Sequence, residues 1–300
     1  MDFEAIRRKR RLYFASRPGR RVDPDLAFTK LLLGFQGANG STTVTDESPA
    51  NKGALAVTGN AQISTAQAKF GTSSALFDGT GDRMSLGYDL DFEFDADPFG
   101  VDFWVYTASN TGARWFVGKA AGTDAAARFT PSWALYSYLG APELAFVNGG
   151  AWNSVIATTT LTVNTWTHLA TDRDDTGKIR LYVNGVMEAS RTASTSFQTY
   201  NPMGLYIGEP GDFGTGDYAG HLAELRIVKG RAPWASDSGF TPPPTPYSRS
   251  RFMPLQITYW AGTAGNAPAA GVDLSSEALP ISGTSAQSGV APSNASLVSI

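Results

Sequence analysis

Any chemistry this chain performs has to come from carboxylates, amines, hydroxyls and two imidazoles, because its 300 residues include no cysteine. Without thiols there is no thiolate nucleophile, no soft metal ligand and no disulfide framework. The densest acidic run is Asp91-Phe-Glu-Phe-Asp-Ala-Asp97. In an extended backbone Glu93, Asp95 and Asp97 fall on one face. Two carboxylates flanking a glycosidic bond are what a glycoside hydrolase needs. Pro98 ends the run, however, and no further acid follows at a spacing that would extend the set along a strand. His168 lies in an alternating strand-like run beside Trp166, and His221 opens another. No G-x-S-x-G nucleophile elbow, GxxxxGK[ST] phosphate loop or HExxH metal motif occurs. These residues point away from an enzyme.

Flat aromatic side chains are the second source of chemistry, since a ring can stack on a sugar while neighbouring polar groups bind its hydroxyls. Of seven tryptophans, Trp104 and Trp166 sit in regular strand patterns and are expected to be structural. Trp152 lies in the turn-like stretch Asn148-Gly-Gly-Ala-Trp-Asn153, where exposure is expected. Phe213 and Tyr218 lie in the glycine-rich segment 208–220, flanked by Asp212 and Asp217. Trp152, Asn153, Asp212, Phe213, Asp217 and Tyr218 therefore form the candidate carbohydrate-binding set. The competing expectation is that these loops pack against a neighbouring subunit.

The elements that must hold these groups are strands. Short runs rich in β-formers, separated by turn residues, recur about fourteen times between residues 30 and 228. In Val101-Asp-Phe-Trp-Val-Tyr106, Phe103 and Val105 share one face while Asp102, Trp104 and Tyr106 share the other. This is the period of a sheet with one buried side. Asn184-Gly185 between apolar runs signals a tight hairpin. Helical periodicity is missing, and 32 Gly and 17 Pro suit a turn-rich fold. The expected class is all-β: an antiparallel β-sandwich or jelly roll. No apolar run approaches the ~18 residues of a membrane-spanning helix, and no apolar h-region follows the basic N-terminus, so no signal peptide is read.

Three segments differ in character. Residues 1–22 form a basic arm dominated by Arg7, Arg8, Lys9, Arg10, Arg11, Arg20 and Arg21. Residues 1–21 carry eight Lys/Arg against two acids, whereas the remainder carries 16 against 25. A basic arm on an acidic body suits an anchor on an acidic surface. Nucleic acid is the weaker partner, because no aromatic-interleaved fold surrounds the arm. Residues 23–247 are the sandwich, closed by Thr241-Pro-Pro-Pro-Thr-Pro246, an extended spacer. Residues 248–300 are an assembly segment. From Ala261 on, 22 of 40 residues are Ala, Gly or Ser and none is aromatic, so the segment lacks a core of its own and is expected to pair with another chain.

The body resembles laminin-G-like, concanavalin A-like jelly-roll domains of the kind found in bacteriophage virion proteins. The resemblance covers roughly residues 28–247. It is carried by Leu31-Leu-Leu-Gly-Phe35, Lys69-Phe-Gly-Thr-Ser-Ser-Ala-Leu-Phe-Asp-Gly-Thr-Gly-Asp82, the hairpin Trp166 to Met187, Leu205-Tyr-Ile-Gly208, the run Gly220 to Gly230, and Phe240-Thr-Pro-Pro-Pro. It implies a non-enzymatic virion structural protein, released by host lysis rather than secretion, that displays a lectin-like domain for attachment to host-surface glycan. The alternatives are a head or tail decoration subunit with no ligand and, more remotely, a glycoside hydrolase. Partners implied are other virion proteins through both termini and further copies of this chain, with a trimer expected by analogy to fibrous appendages. Some relatives hold Ca²⁺ at one sandwich edge. The matching positions are Asp46 and Glu224, but Ala223 stands where the family's usual Asp precedes that Glu.

Overall fold

The computed structural model describes residues 23–123, 129–193, 195–198, 203–210 and 216–249. The basic arm and the small-residue C-terminal segment, with the anchoring and assembly roles expected of them, lie outside the described residues.

The described residues contain fifteen strands. They are β1 (Thr29–Leu33), β2 (Ala56–Thr58), β3 (Gln62–Ser64), β4 (Ser74–Asp78), β5 (Arg83–Leu86), β6 (Phe99–Thr107), β7 (Ala113–Thr123) and β8 (Phe129–Tyr138), then β9 (Ala141–Asn148), β10 (Ala151–Ile156), β11 (Trp166–Arg173), β12 (Lys178–Val183), β13 (Val186–Thr192), β14 (Leu205–Ile207) and β15 (Ala219–Lys229). Two single-turn 3₁₀ helices, Leu26–Phe28 and Leu90–Phe92, are the only helical elements among the described residues. The strands form two antiparallel sheets. Sheet 1 runs β13-β12-β11-β6-β15-β4-β3, with β1 also paired to β15, and sheet 2 runs β10-β9-β8-β7-β14-β5-β2. The all-β sandwich expected from the alternation is the observed fold.

The two inner faces make one core. Phe103 and Val105 on β6, Leu169 on β11, Leu222 on β15, and Trp133 and Leu135 on β8 are all buried in it. Phe94 stacks on Phe99 at 4.1 Å between centroids and on Trp133 at 4.7 Å. Each fully buried aromatic or branched side chain contributes about 1.5–3 kcal/mol relative to exposure, so this core dominates stability. The Asn184-Gly185 hairpin is confirmed, with both residues at positive φ (50° and 80°) as a primed turn requires.

Alternation alone leaves the outer face of sheet 1 to solvent; the structure covers it. Asp102, at the centre of β6, is 1 % exposed, and Trp104 is 8 % exposed. Lys69 and Phe70 lie on Trp104, and the cover over Asp102 and its neighbours on β11 and β12 is the strap that follows β15. Trp234 and Phe240 stack on each other at 4.5 Å and present edges to Tyr182. The strap's main chain bonds to Gly185 O through Phe240 N at 2.8 Å and to Asp172 Oδ2 through Ala235 N at 2.5 Å. Beneath it lies a buried charge network. Arg226 Nε donates to Asp102 Oδ1 at 2.9 Å, and His168 Nε2 lies 3.2 Å from Asp102 Oδ2. The Tyr247 hydroxyl donates to that same Oδ2, and the Tyr247 ring lies 3.8 Å beneath the Arg226 guanidinium. The Arg226 guanidinium also reaches Asp23 and Asp25, at 3.1 and 3.5 Å. Burial raises the cost of ionising Asp102, but Arg226 and the His168 hydrogen bond outweigh it and hold the carboxyl below its ordinary pKa. The proline-rich run therefore ends in a side chain that closes this network. Replacing Tyr247 by Phe removes one donor to a buried carboxylate and is expected to cost about 1–3 kcal/mol in urea unfolding, whereas Tyr138→Phe at an exposed site leaves the midpoint unchanged.

Candidate functional site

Trp152 and Asn153 do not lie in the turn. Gly149 and Gly150, both at positive φ (59° and 76°), close the hairpin alone, so pairing resumes at Ala151 opposite Asn148. Trp152 is consequently a strand residue of β10, half-buried against Trp115, Tyr136 and Ala145. Asn153 is half-buried, and its Nδ2 donates to Ala151 O at 2.8 Å. Tyr218, expected to be exposed, is fully buried instead. It packs on Phe77 and Phe116, and its hydroxyl donates to Tyr106 O and His221 O at 2.8 and 3.0 Å. A backbone glycine neighbour, Gly220 at φ 145°, lets the ring lie over the main chain where a Cβ would clash. Asp217 Oδ2 accepts from Gly81 N at 2.9 Å, which ties the loop before β15 to the β4–β5 turn. Asp212 and Phe213 lie outside the described residues. Of the six predicted sugar-binding residues, only Trp152 lies on a sheet face with other aromatic groups; Asn153, the next residue on the strand, falls on the opposite side with Val155, and Tyr218 belongs to the core.

That surface is the outer face of sheet 2. The register Trp152↔Val147, Ser154↔Ala145 and Ile156↔Glu143 on β10, and Ala145↔Ala134 and Glu143↔Tyr136 on β9, sets Trp152, Ser154, Ile156, Glu143, Ala134 and Tyr136 on one side. Tyr138, two residues beyond Tyr136, continues the row and is 56 % exposed, and Ile156 is 51 % exposed. Ala134 and Ala145 are fully buried in a cluster with Trp115 and Tyr136, against which Trp152 packs, so what this face presents to solvent is Tyr138, Ile156 and the open side of Trp152. Burial, then the adjacent Glu143 carboxylate with which it bonds, pushes the Tyr136 phenol above its ordinary pKa. The combination is a half-buried indole and an exposed phenol flanking a buried aromatic cluster in which Glu143 is bonded to Tyr136. Sequence reading missed Tyr136 and Tyr138; the alternation of β8 carried the signal, with Trp133 and Leu135 inward and the tyrosines outward.

The metal option at Asp46 and Glu224 fails on the donors already present. Asp46 accepts from Leu32 N, Ser48 N, Ser48 Oγ and Lys52 N at 2.7–2.9 Å. Glu224, at a bulge with φ 51°, pairs with Arg249 at 2.5 Å and accepts from Tyr247 N at 3.1 Å. Arg249 also pairs with Glu47, so a guanidinium supplies the positive charge between these acids. No group of three or more His, Cys, Asp or Glu among the described residues is arranged to hold a metal. The residues do not fit a Ca²⁺ site.

With the sandwich and its faces defined, comparison places the chain among known proteins. The profile of the concanavalin A-like lectin/glucanases superfamily, in its laminin G form, matches residues 78–234, more than half of the chain. The chain belongs to that superfamily. A search of curated proteins gave no match. Solved structures share the fold at low identity. The binding domain of Paraclostridial Mosquitocidal Protein 1 is 15 % identical with a TM-score of 0.52, covering 69 % of this chain and 50 % of that one. Domain 4 of an extracellular arabinanase from Geobacillus stearothermophilus, solved with arabinotriose, is 22 % identical with a TM-score of 0.51, covering 70 % of this chain and 96 % of that one. The receptor-binding domain of botulinum neurotoxin C/D mosaic serotype is 15 % identical with a TM-score of 0.50, covering 69 % of this chain and 49 % of that one. The chain spans about half the length of the toxin structures it matches.

The superfamily includes enzymes, so the acids and imidazoles matter. Glu93, Asp95 and Asp97 do not share a face, because Leu90–Phe92 turns as 3₁₀ helix and Asp95 takes φ 45°. Glu93 is 1 % exposed and paired with buried Lys119, while Asp97 reaches Lys229 at 3.6 Å. His221 Nδ1 lies 3.0 Å from Ser74 Oγ, but that hydroxyl donates to Gln67 O at 2.7 Å. A serine whose proton is given to a carbonyl is not activated by the imidazole. Burial lowers His221 to about 4 from 6.5, so the folded ring is neutral at pH 7. A depressed folded pKa means stability is complete above 6.5 and is lost as pH falls towards 4. Urea unfolding across this window is expected to show that loss, and His221→Gln should flatten the His221 part of the slope; an unaltered slope would contradict the assignment.

Proposed function

We propose that this chain is a non-enzymatic glycan-binding protein whose ligand lies on the outer face of sheet 2, and that it is displayed on a phage particle. The observation that carries the binding reading is the aromatic set on one side of β8 and β10, with Trp152 half-buried and Tyr138 exposed to either side of the buried Tyr136–Glu143 pair. Pyranose rings have one apolar face and a rim of hydroxyls, and an aromatic row with adjacent acceptors complements both. The arabinotriose complex of the structurally similar arabinanase domain is consistent with such use of this fold. The engaged state of Glu93, Ser74 and His221 supports a binding rather than a hydrolytic role.

The virion setting is supported by sequence: the laminin-G-like resemblance, the basic arm on an acidic body and the core-poor C-terminal segment. In this reading the termini attach the protein to other virion components and to further copies of itself, and the sandwich faces outward towards the host.

The test is binding of the full chain and of Trp152→Ala to a panel of bacterial surface polysaccharides. Truncating an aromatic anchor in a binding patch is expected to weaken binding by at least about tenfold, with the unfolding midpoint monitored to show that the variant is folded. Equal binding by both forms would remove Trp152 from the site. Absence of binding by the full chain would leave a structural subunit without a ligand.

A further inference from the structure

The opposite face of the molecule carries an aromatic arrangement that the proposed glycan surface does not use. On the outer face of sheet 1 the register pairs Trp166 with Tyr106 and His168 with Trp104. The four rings form a two-by-two ladder across β6 and β11. Trp166 and Tyr106 are 5.5 Å apart, Trp104 and His168 are 5.0 Å apart, and Phe70 meets Trp104 edge-on at 5.9 Å. The strap seals the His168 end, where Phe240 packs on the imidazole at 5.8 Å. Tyr106 and Trp166 at the other end are half-exposed.

Two features of this ladder lack a structural explanation. The ammonium of Lys69 stands 3.5 Å above the Trp104 ring. It also lies 5.7 Å from the Phe70 ring centre; among the described residues it has no carboxylate partner, and burial lowers its pKa. The indole Nε1–H of Trp104, in a side chain more than nine-tenths buried, has no hydrogen-bond acceptor. A buried donor without a partner is costly, and a partly desolvated ammonium held only by aromatic rings forgoes its strongest interaction. Both shortfalls are relieved by one carboxylate at the edge of the Trp104 ring, one oxygen accepting from the in-plane Nε1–H and the other from the ammonium moved off the ring face. Because Lys69 closes over the ring, such a group gains access by drawing the flexible lysine aside. The half-exposed Tyr106–Trp166 pair lies next along the same face, at a distance suited to the apolar side of a sugar ring.

We infer that the outer face of sheet 1 holds a second saccharide site specific for acidic sugars, with the ligand carboxylate bound by Lys69 and the Trp104 indole N–H, and the pyranose stacked on Tyr106 and Trp166. The site is on the sheet opposite Trp152 and stands whether or not that face binds glycan.

The experiment titrates the full chain with oligogalacturonate and with sialyllactose, and with lactose and a neutral galactose oligomer, following heat and tryptophan fluorescence. Polyglutamate is the control for charge without a sugar ring. At least one carboxylated saccharide is expected to bind at least about tenfold more tightly than its neutral counterpart, as a charge-assisted hydrogen bond implies, and binding should weaken with salt. Lys69→Gln and Trp166→Ala are each expected to lose about tenfold, while Trp152→Ala binds the acidic saccharide as the parent does. The proposal is overturned if no carboxylated saccharide binds, if neutral and acidic forms bind equally, if polyglutamate competes as well as the sugars, or if Lys69→Gln retains parental affinity. Loss of acidic-sugar binding in Trp152→Ala alone would assign that binding to sheet 2 instead.

Discussion

The structure depends on how one buried cation is satisfied. Arg226 sits on the outer face of the central strand pair, 3 % exposed along its side chain, against Asp102, Asp23 and Asp25. Burying a guanidinium is affordable only when carboxylates surround it, and removing one partner from such a cluster typically costs about 3–5 kcal/mol. The network draws on three places in the chain: carboxylates from the first described residues and from β6, and the Tyr247 hydroxyl, which donates to Asp102 from the end of the strap. The network therefore fastens both ends of the body to the middle of sheet 1. The strap closes the Asp102–His168 part of sheet 1, while the outer face of sheet 2 carries the exposed Tyr138 and Ile156 and the half-buried Trp152.

A second charge cluster repeats the arrangement. Asp172 is pushed up to about 6, chiefly by burial, although Ala235 N, Arg180 and Trp234 N all favour its ionised form. Asp174, more exposed and bonded by Thr176 and Arg180, is held down to about 2. Two acids two residues apart on one hairpin thus differ in environment because one lies beneath the strap and the other beside it. The raised group favours the folded state at low pH and loses that contribution as pH rises through about 6, whereas the depressed group contributes above its unfolded value of 3.8 and loses that as pH falls through about 2. The two windows are adjacent and opposite in sign, so together they place the greatest contribution of the pair near 3.8, falling on either side.

Much of the fold was legible because β-sheets write their period directly into sequence. Arg83–Leu86, Lys178–Val183 and Leu205–Ile207 are strands at the expected bounds, and Phe103 and Val105 face the core as alternation requires. Alternation failed where a third layer intervenes. Asp102 reads as a residue of the side of β6 opposite the core, yet Tyr247 and the strap bury it, and nothing local to β6 announces a segment more than a hundred residues away. The candidate site was half legible. Trp152 was found by its residue type, but Gly149-Gly150 ended the turn sooner than the glycine-rich stretch suggested and moved it into a strand. Tyr218 was misplaced for the converse reason: a glycine-rich loop looks exposed, while its tyrosine is anchored inside by two carbonyls. Asp46 and Glu224 were the Ca²⁺ positions that the family resemblance offered, against the departure at Ala223; an acid's type does not reveal which donors the fold supplies.

The central claim is that the outer face of sheet 2 is where a glycan meets this protein. The most direct measurement is mapping by nuclear magnetic resonance of the full chain, following the indole and tyrosine ring signals as a saccharide identified by binding is added. The account predicts that the largest shifts fall on Trp152, Tyr136 and Tyr138, together with amides of β8, β9 and β10, while the core signals of Tyr218 and Trp133 stay in place. Shifts confined to other surfaces, with Trp152 and Tyr138 unmoved at saturation, would contradict it.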